Sequence, residues 1–170
     1  PSALHVLGVV AQMAGNLSEA REFMSERMAL ARELGQHGGI AAEAANLAMV
    51  EQRLGNLDRA EALSRESLEI SCRREDEWMF PYDLSRLAAI AAERGELKRA
   101  ATLIGAAERM MAAQAAAWPP DERPHYEQTV SRLASAMGDA DFETARAGGQ
   151  ALATHDALEL ALAATLPNVP

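Results

Sequence analysis

The residue types that most often carry chemistry are few and scattered in this chain of 170 residues. The histidines and the single cysteine stand at His5, His37, Cys72, His125 and His155. This set contains neither the His-x-x-x-His nor the Cys-x-x-Cys spacing that brings two metal ligands together. The sequence also lacks a Gly-x-x-x-x-Gly-Lys loop, which would bind a phosphate through its backbone amides. We therefore expect no metal site and no cofactor.

Cys72 is a candidate nucleophile, and its neighbours Arg73 and Arg74 would favour a thiolate. Its position near the predicted C-terminal end of a helix opposes this effect, because the helix dipole is negative there. The acidic run at 75–77 falls in a predicted linker, where water solvates the carboxylates. Acid–base catalysis needs a carboxylate in an apolar pocket, so we expect no catalytic residues and no enzyme. A buried histidine–carboxylate pair would be the structural sign of an enzyme.

A six-residue motif, or phrase, occurs three times at a constant spacing of 40 residues and locates the helices that position these side chains. It reads GNLSEA at 15–20, GNLDRA at 55–60 and GELKRA at 95–100. Apolar residues at offsets of three and four lie on both sides of each phrase, which predicts flanking helices of about 17 residues. The glycine that opens the phrase enters the left-handed conformation and so ends the first helix. The pattern predicts stacked helix hairpins.

Each unit also carries a leucine followed by a small residue, at Leu7-Gly8, Leu47-Ala48 and Leu87-Ala88. Together with the Gly-x-Leu-x-x-Ala motif at the turn between the two helices, which we call the corner, this pattern resembles the tetratricopeptide repeat. The usual period of that repeat is about 34 residues. The resemblance implies an all-α solenoid of helix hairpins that binds protein partners. We assign the extra length of each unit to longer second helices or to flexible linkers such as 35–39.

We predict one tetratricopeptide-like domain with about three 40-residue units, a degenerate fourth unit and a capping helix. The last helix of the third unit should end at Trp118-Pro119, since proline disfavours helical geometry in the residue before it. The glycine pair at 148–149 should end a short helix that begins at Asp139. The capping helix should follow and run through Leu158, Leu162 and Leu166. The predicted boundaries are 1–36, 37–76 and 77–117 for the units and 118–170 for the C-terminal part, within a single domain of residues 1–170.

Motifs in the C-terminal part resemble the corresponding region of large multidomain bacterial regulators. They are LIGAAE at 103–108, PPDER at 119–123, Tyr126, Phe142 and Gly149 with Ala151-Leu152. In those proteins, tetratricopeptide-like repeats follow an ATPase of the signal-transducing type, and a LuxR-type DNA-binding domain or a nucleotide-cyclase domain lies elsewhere. The resemblance implies a module for transcription regulation or signal transduction that binds its own ATPase and output domains, or another protein. Arg146 stands where that pattern predicts tryptophan, and Gly148 where it predicts an acid.

Charge and hydropathy exclude several classes of partner. The formal net charge of −9 repels phosphate backbones, so direct nucleic-acid binding is not expected. The sequence has no signal peptide and no apolar run of about 18 residues, so we expect no membrane association. A lone cysteine cannot form an internal disulfide, which is typical of a reducing compartment, and we expect a cytoplasmic location.

The first helices of successive units line the concave surface of such an array. Side chains on these helices that do not face the core are the candidate binding residues. They are His5, Gln12, Met49, Gln52, Arg53 and Glu93. The set lacks the lysine and arginine cluster that clamps a carboxylate, so a peptide C-terminus is not an obvious ligand. A solvated surface without a ligand is the alternative interpretation.

Two other surfaces are candidates for binding. The apolar side of the first helix, with Leu4, Leu7 and Val10, should be exposed and allow a homodimer. The alternative function is small-molecule sensing in a closed hydrophobic pocket between the repeats and the cap, near Trp118 and Tyr126. The aromatic segment at 78–82 should fill space beneath a linker, with an exposed docking patch as the alternative.

Overall fold

The computed structural model describes residues 3–120 and 122–163, and the regular structure in these ranges is entirely α-helical. The predicted fold class, an all-α array of tetratricopeptide-like hairpins, is confirmed. The helices are α1 (Ala3–Met13), α2 (Leu17–Glu33), α3 (His37–Arg53), α4 (Leu57–Arg73), α5 (Phe80–Glu93), α6 (Leu97–Ala113), α7 (Arg123–Met137), α8 (Asp139–Ala151) and α9 (Thr154–Leu162).

One corner geometry recurs every 20 residues from α1 to the end of α6. The residues with positive φ that form the corners are Gly15, Gly35, Gly55, Glu75, Gly95 and Ala115. In the first corner, the Asn16 N–H donates to the Ala11 carbonyl across 2.9 Å. The same hydrogen bond recurs at the other five corners. In each of them, the N–H of the residue after the positive-φ residue donates to the carbonyl five residues earlier. Helices α2, α3, α4 and α6 each have 17 residues, the predicted length, so two 20-residue steps make the 40-residue period.

The glycine-rich segment at 35–39 is a corner followed by a helix, so the predicted flexible linker is wrong. Gly35 forms the corner with a φ of +63°, whereas Gly38 and Gly39 lie in the first turn of α3. A Cβ on Gly39 would lie 3.0 Å from a guanidinium nitrogen of Arg27 on α2. The same Cβ would lie 3.5 Å from the Ala31 Cβ atom, an ordinary contact, so Gly39 packs beside α2. The extra length of the repeat resides in its helices.

The chain divides into two compact units, residues 1–86 and 87–170, and the division falls within α5. In the first unit, the hairpins α1–α2 and α3–α4 stack through contacts between α2 and α3. Alanine predominates in the shared core, and its small side chain lets the helices approach closely. The core comprises Ala11, Ala20, Met24, Met28, Ala31, Ile40, Ala41, Ala44, Leu47, Ala48, Val50, Leu63 and Ile70. The single domain of residues 1–170 stays a prediction.

The exposure of α1 agrees with the expectation from sequence for two of three side chains. Leu7 and Val10 are 46% and 58% exposed, while Leu4 is half-buried.

The aromatic segment at 78–82, at the other end of the unit, contains both a buried and an exposed aromatic side chain. Phe80 is buried there, as the filling role predicts, but Trp78 is 55% exposed.

In the second unit, α6 packs against α7, α8 and α9. The contact between α6 and α8 is a crossing of two backbones at glycine. A Cβ on Gly105 would lie only 1.9 Å from the Arg146 carbonyl oxygen, and one on Gly149 only 1.9 Å from the Thr102 carbonyl oxygen. The expected helix end at 148–149 is wrong, because α8 continues through both glycines to Ala151. Gly149 brings two helices together here and does not end one.

Two arginines of α6 hold α9 at its two ends. Arg99 donates to the carbonyls of Leu160 and Ala161 across 3.3 and 3.2 Å, which satisfies the C-terminal end of α9. Arg109 donates to the Thr154 hydroxyl across 3.1 Å at the other end.

Helix α6 itself ends at Ala113, before the predicted stop at 118–119, because the corner at 115 ends it first. Leu166, which the sequence assigns to the last helix, lies outside the described residues.

We expect Gly149→Ala to destabilise the second unit by about 3 kcal/mol or more, because the new Cβ would overlap the Thr102 carbonyl oxygen. Gly148→Ala is the matched control, since a Cβ at this neighbouring position in α8 meets open space. The control should stabilise by roughly 0.5–1 kcal/mol through helix propensity. Thermal and urea unfolding of both variants measure the difference. Equal stabilities would contradict the backbone crossing.

We expect Ala115→Gly to stabilise the protein by about 1 kcal/mol, because Ala115 has a φ of +51°, where a Cβ is strained. The reverse change, Gly95→Ala, removes glycine from the preceding corner, whose φ is +81° and whose surroundings are open. It should destabilise by a similar amount through backbone strain alone. Urea unfolding checks both signs, and a destabilising Ala115→Gly would show that the corner imposes no strain on alanine.

Candidate functional site

Two polar contacts join α1 to α3, and three predicted binding residues take part in them. The His5 Nδ1 atom lies 2.7 Å from the Glu43 Oε1 atom. The Arg53 guanidinium donates to the backbone carbonyl of Gln12 across 3.1 Å. Thus His5, Gln12 and Arg53 lie where two first helices meet, as expected from the repeat. These contacts fix α1 against α3 near both ends of α1.

The remaining predicted binding residues lie in different surroundings. Met49 and Gln52 are half-buried on α3, in the same unit as the two contacts. Glu93 belongs to the second unit, where its Oε1 atom lies 3.9 Å from an Arg132 guanidinium nitrogen on α7. Five of the six residues therefore share two neighbouring helices of the first unit. Their use in binding stays a prediction.

The His5–Glu43 contact is a histidine–carboxylate pair, the arrangement named above as the sign of an enzyme. The Glu43 side chain is 3% exposed and the His5 side chain 33% exposed. The position 40 residues after Glu43 holds another buried acid, Asp83, which is fully buried. A buried acid thus occurs in register on α3 and α5, and each carboxylate is bound by a neighbouring helix.

Asp83 is the centre of a buried polar cluster that sequence reasoning missed. Ser67 donates to its Oδ1 atom across 2.8 Å, and Ser71 donates to its Oδ2 atom across 3.2 Å. An Arg86 guanidinium nitrogen lies 3.5 Å from the Oδ1 atom. The four residues are buried, and the cluster joins α4 to α5. Serines four residues apart on a helix were its signal in the sequence.

Glu108 on α6 is a second polar centre, in the other unit. Its carboxylate accepts hydrogen bonds from the Tyr126 hydroxyl, from Arg146 across 2.8 Å and from Gln150 across 3.0 Å. These partners come from α7 and α8, so one carboxylate joins three helices. The sequence signal was Arg146 itself, at a position where the resemblance predicts tryptophan. The arginine supplies a charged partner for Glu108.

The environment of Glu108 changes the protonation of its partners. Burial, followed by the hydrogen bond to Glu108, raises the pKa of Tyr126 well above its ordinary value of 10.0. The hydrogen bond to Glu108 also raises the pKa of the Arg146 guanidinium. Tyr126 therefore stays a neutral donor and Arg146 a cation. Neither group has a pKa near neutral pH, which a general base requires.

A cleft of about 330 Å³ lies beside this network, near Trp118 and Tyr126, and it is open where the sequence predicts a closed pocket. The Trp118 and Tyr126 rings form one wall and stack with centroids 4.6 Å apart. Met111, Arg123 and Glu127 also line the cleft, so its walls combine aromatic, apolar and charged groups. Its volume is at the lower end of the range for small-molecule sites.

The remaining candidates for chemistry have ordinary surroundings. Burial and the Asp83 carboxylate raise the pKa of the Cys72 thiol, and they outweigh the opposite effect of Arg73. The thiol is therefore a poor nucleophile. Within residues 3–120 and 122–163, no three histidine, cysteine, aspartate or glutamate side chains are grouped to hold a metal ion. In the same part of the chain, no helix has the length and apolar character needed to cross a bilayer.

Comparison with known proteins agrees with the architecture of the first unit. The family model described as tetratricopeptide repeat matches residues 1–73, a segment that ends with α4 and contains both stacked hairpins. Such repeats generally mediate protein–protein interactions and are typically non-catalytic. No curated protein and no solved structure matches the chain.

We expect the second unit to lose stability as the pH rises above about 10, because the unfolded chain can then ionise Tyr126 while the folded chain resists ionisation. The stabilising contribution is complete below the ordinary pKa and disappears towards the raised folded pKa. Tyr126→Phe should flatten this dependence and cost about 1 kcal/mol at neutral pH through the lost hydrogen bond. Urea unfolding from about pH 8 to about pH 11 measures both effects. Equal slopes for the two proteins would contradict the assignment.

Proposed function

We propose that this chain is a non-catalytic protein-interaction module that regulates a larger bacterial protein, either a transcriptional regulator or a signalling ATPase. The observation that carries the proposal is the pair of stacked hairpins within residues 1–73, the segment matched by the tetratricopeptide repeat model. The regulatory context comes from the C-terminal motifs by analogy with a family. Its partners are proteins: its own ATPase and output domains, another protein, or a second copy of the chain. A cytoplasmic location belongs to the same proposal.

The proposed partner binds along α1 and α3, where most of the predicted residues lie. The contacts of His5 with Glu43 and of Arg53 with Gln12 hold these two helices together before any partner arrives. A surface that is ordered in advance loses less conformational entropy on binding than a mobile one. The partner is recognised by the fit of its surface to fixed helices, and its binding is passed on to the ATPase and output domains.

The test starts with a photo-crosslinking amino acid at position 49, introduced into the protein in cells, to capture and identify the partner. The affinity of the purified partner is then measured for wild type and for Arg53→Ala. We expect the variant to bind about 10-fold more weakly, a loss of about 1.4 kcal/mol, because an exposed arginine at the centre of an interface is a common anchor.

Arg73→Ala provides the matched control for this measurement. Arg53 and Arg73 are exposed arginines at the last position of successive 17-residue helices, α3 and α4. Arg73 lies on the second helix of its hairpin, where it forms an ion pair with exposed Glu69 of the same helix. Its loss should change the affinity less than about 2-fold. Equal losses for both variants, or crosslinking without specificity, would contradict binding along α1 and α3.

The cleft beside Trp118 and Tyr126 favours the alternative function, sensing of a small molecule. Its stacked rings and adjacent Arg123 offer a flat apolar wall and a cation, which suit an aromatic or anionic metabolite. Thermal stabilisation of the chain by one compound of a metabolite set distinguishes this function from the first. The effect should disappear in Trp118→Ala, while Arg53→Ala should leave it intact.

A further inference from the structure

The cleft beside Trp118 lies where the regular step of the repeat is interrupted. At four earlier corners, a 17-residue helix begins two residues after the residue with positive φ. After Ala115, in contrast, the next helix is α7, which begins eight residues later at Arg123. Residues 116–119 have no regular structure, and the first three of them line the cleft together with α6 and α7. The cleft thus occupies a position where other corners lead directly into a helix.

Two side chains of opposite charge on α7 line this cleft. Arg123 and Glu127 are exposed, and neither side chain forms an ion pair or hydrogen bond with the part of the chain that the structure describes. They are neighbours on one helix face, but the arginine comes first, which is the less favourable order for a pair within a helix. The carboxylate of Glu108, which also lines the cleft, is already bound to Arg146 and to two other donors. The cleft therefore offers one cation and one anion to a ligand.

The aromatic wall beside these charges is flat and fixed. The Trp118 and Tyr126 rings are half-buried and nearly parallel, with an angle of 17° between their planes. The Tyr126 hydroxyl donates to Glu108, which holds its ring in place. Met111 is 4% exposed and adds a thioether, which packs favourably against aromatic rings. An aromatic ring of a ligand would extend a stack that already exists.

We propose that this cleft binds an aromatic amino acid as its zwitterion. The ring of the ligand packs against Trp118 and Tyr126, its carboxylate accepts hydrogen bonds from Arg123, and its ammonium group donates to Glu127. A simple anion would be repelled by Glu127 and a simple cation by Arg123, so the two charges together select a zwitterion. This inference rests on the alternative function, small-molecule sensing, and names the chemical class of its ligand.

Isothermal titration calorimetry of the full chain with four probes tests each contact. L-Tryptophan carries all three groups, tryptamine lacks the carboxylate, indole propionate lacks the ammonium group, and L-alanine lacks the ring. We expect L-tryptophan to bind about 5-fold more tightly than tryptamine or indole propionate, because each of these loses one charged contact. L-Alanine should show no binding. No binding of L-tryptophan, or equal affinities for the three indole compounds, overturns the proposal.

Substitutions on α7 assign each charge of the ligand to one side chain. Arg123→Gln should weaken the binding of L-tryptophan about 5-fold without weakening that of tryptamine, which has no carboxylate. Glu127→Gln should do the same for L-tryptophan without weakening the binding of indole propionate. Arg132→Gln is the matched control, since Arg132 is a 55% exposed arginine of the same helix outside the cleft. Its affinity should stay within about 2-fold of wild type. An equal loss for L-tryptophan and tryptamine in Arg123→Gln overturns the carboxylate contact.

A fluorescence measurement locates the ligand independently of the charged residues. The chain contains two tryptophans, Trp78 and Trp118, so Trp78→Phe leaves Trp118 as the only one that emits. Para-nitro-L-phenylalanine, an aromatic amino acid whose nitro group quenches indole on contact, should quench this emission to saturation. In Trp118→Phe, the remaining emission of Trp78 should show no saturable quenching. Saturable quenching of equal size in both variants overturns binding at the cleft. Circular dichroism verifies that each variant keeps the helical content of wild type.

These outcomes are separate from those of the functions proposed above. Another metabolite that stabilises the chain through Trp118, while L-tryptophan does not bind, refutes the zwitterion and leaves small-molecule sensing in place. L-Tryptophan that binds with the expected dependence on Arg123 and Glu127 supports the inference even where no protein partner binds along α1 and α3.

Discussion

The left-handed corner is the constraint on which the rest of the structure depends. At six positions spaced by 20 residues, one residue takes a positive φ and the next N–H reaches back five residues to a carbonyl. This bond satisfies the end of one helix, and at four of the six corners the next helix begins at the residue that follows the donor. Because these steps are the same, four helices have 17 residues each, and equivalent side chains return to equivalent places. Hairpin stacking and the buried acids in register follow from that regularity.

Sequence reasoning succeeded where glycine marks a corner and failed where a residue type has two uses. Gly15, Gly55 and Gly95 are corners in both the sequence pattern and the structure. Glu75 and Ala115 form the same corner without glycine, so composition alone could not reveal the 20-residue step. Conversely, Gly149 resembles a helix breaker in the sequence but allows close contact between two helices. Only the position of a neighbouring backbone distinguishes these uses, and one sequence contains no information about that neighbour.

Polar side chains fix the arrangement that the apolar core leaves adjustable. Alanine surfaces are smooth, so helices lined with alanine can slide or rotate against one another at little cost. Glu43, Asp83 and Glu108 oppose such movement, because each buried or half-buried carboxylate has partners on a neighbouring helix. Displacement would leave a charge without its partner in a poorly solvated place, which typically costs several kcal/mol. The candidate site depends on this effect, since the same contacts that set the helix register also order the surface of α1 and α3.

The repeat also allows equivalent positions of the same chain to be compared in different surroundings. Leu7 and Leu47 share a residue type, a helix position and a preceding pattern, yet one is 46% exposed and the other 1%. Residue type and helix position cannot explain the difference, because they are the same in both places. The difference lies in the hairpin that packs on the second residue and not on the first. In an array of equal units, the exposure of a side chain therefore depends on the neighbouring unit as well as on its own position in the repeat.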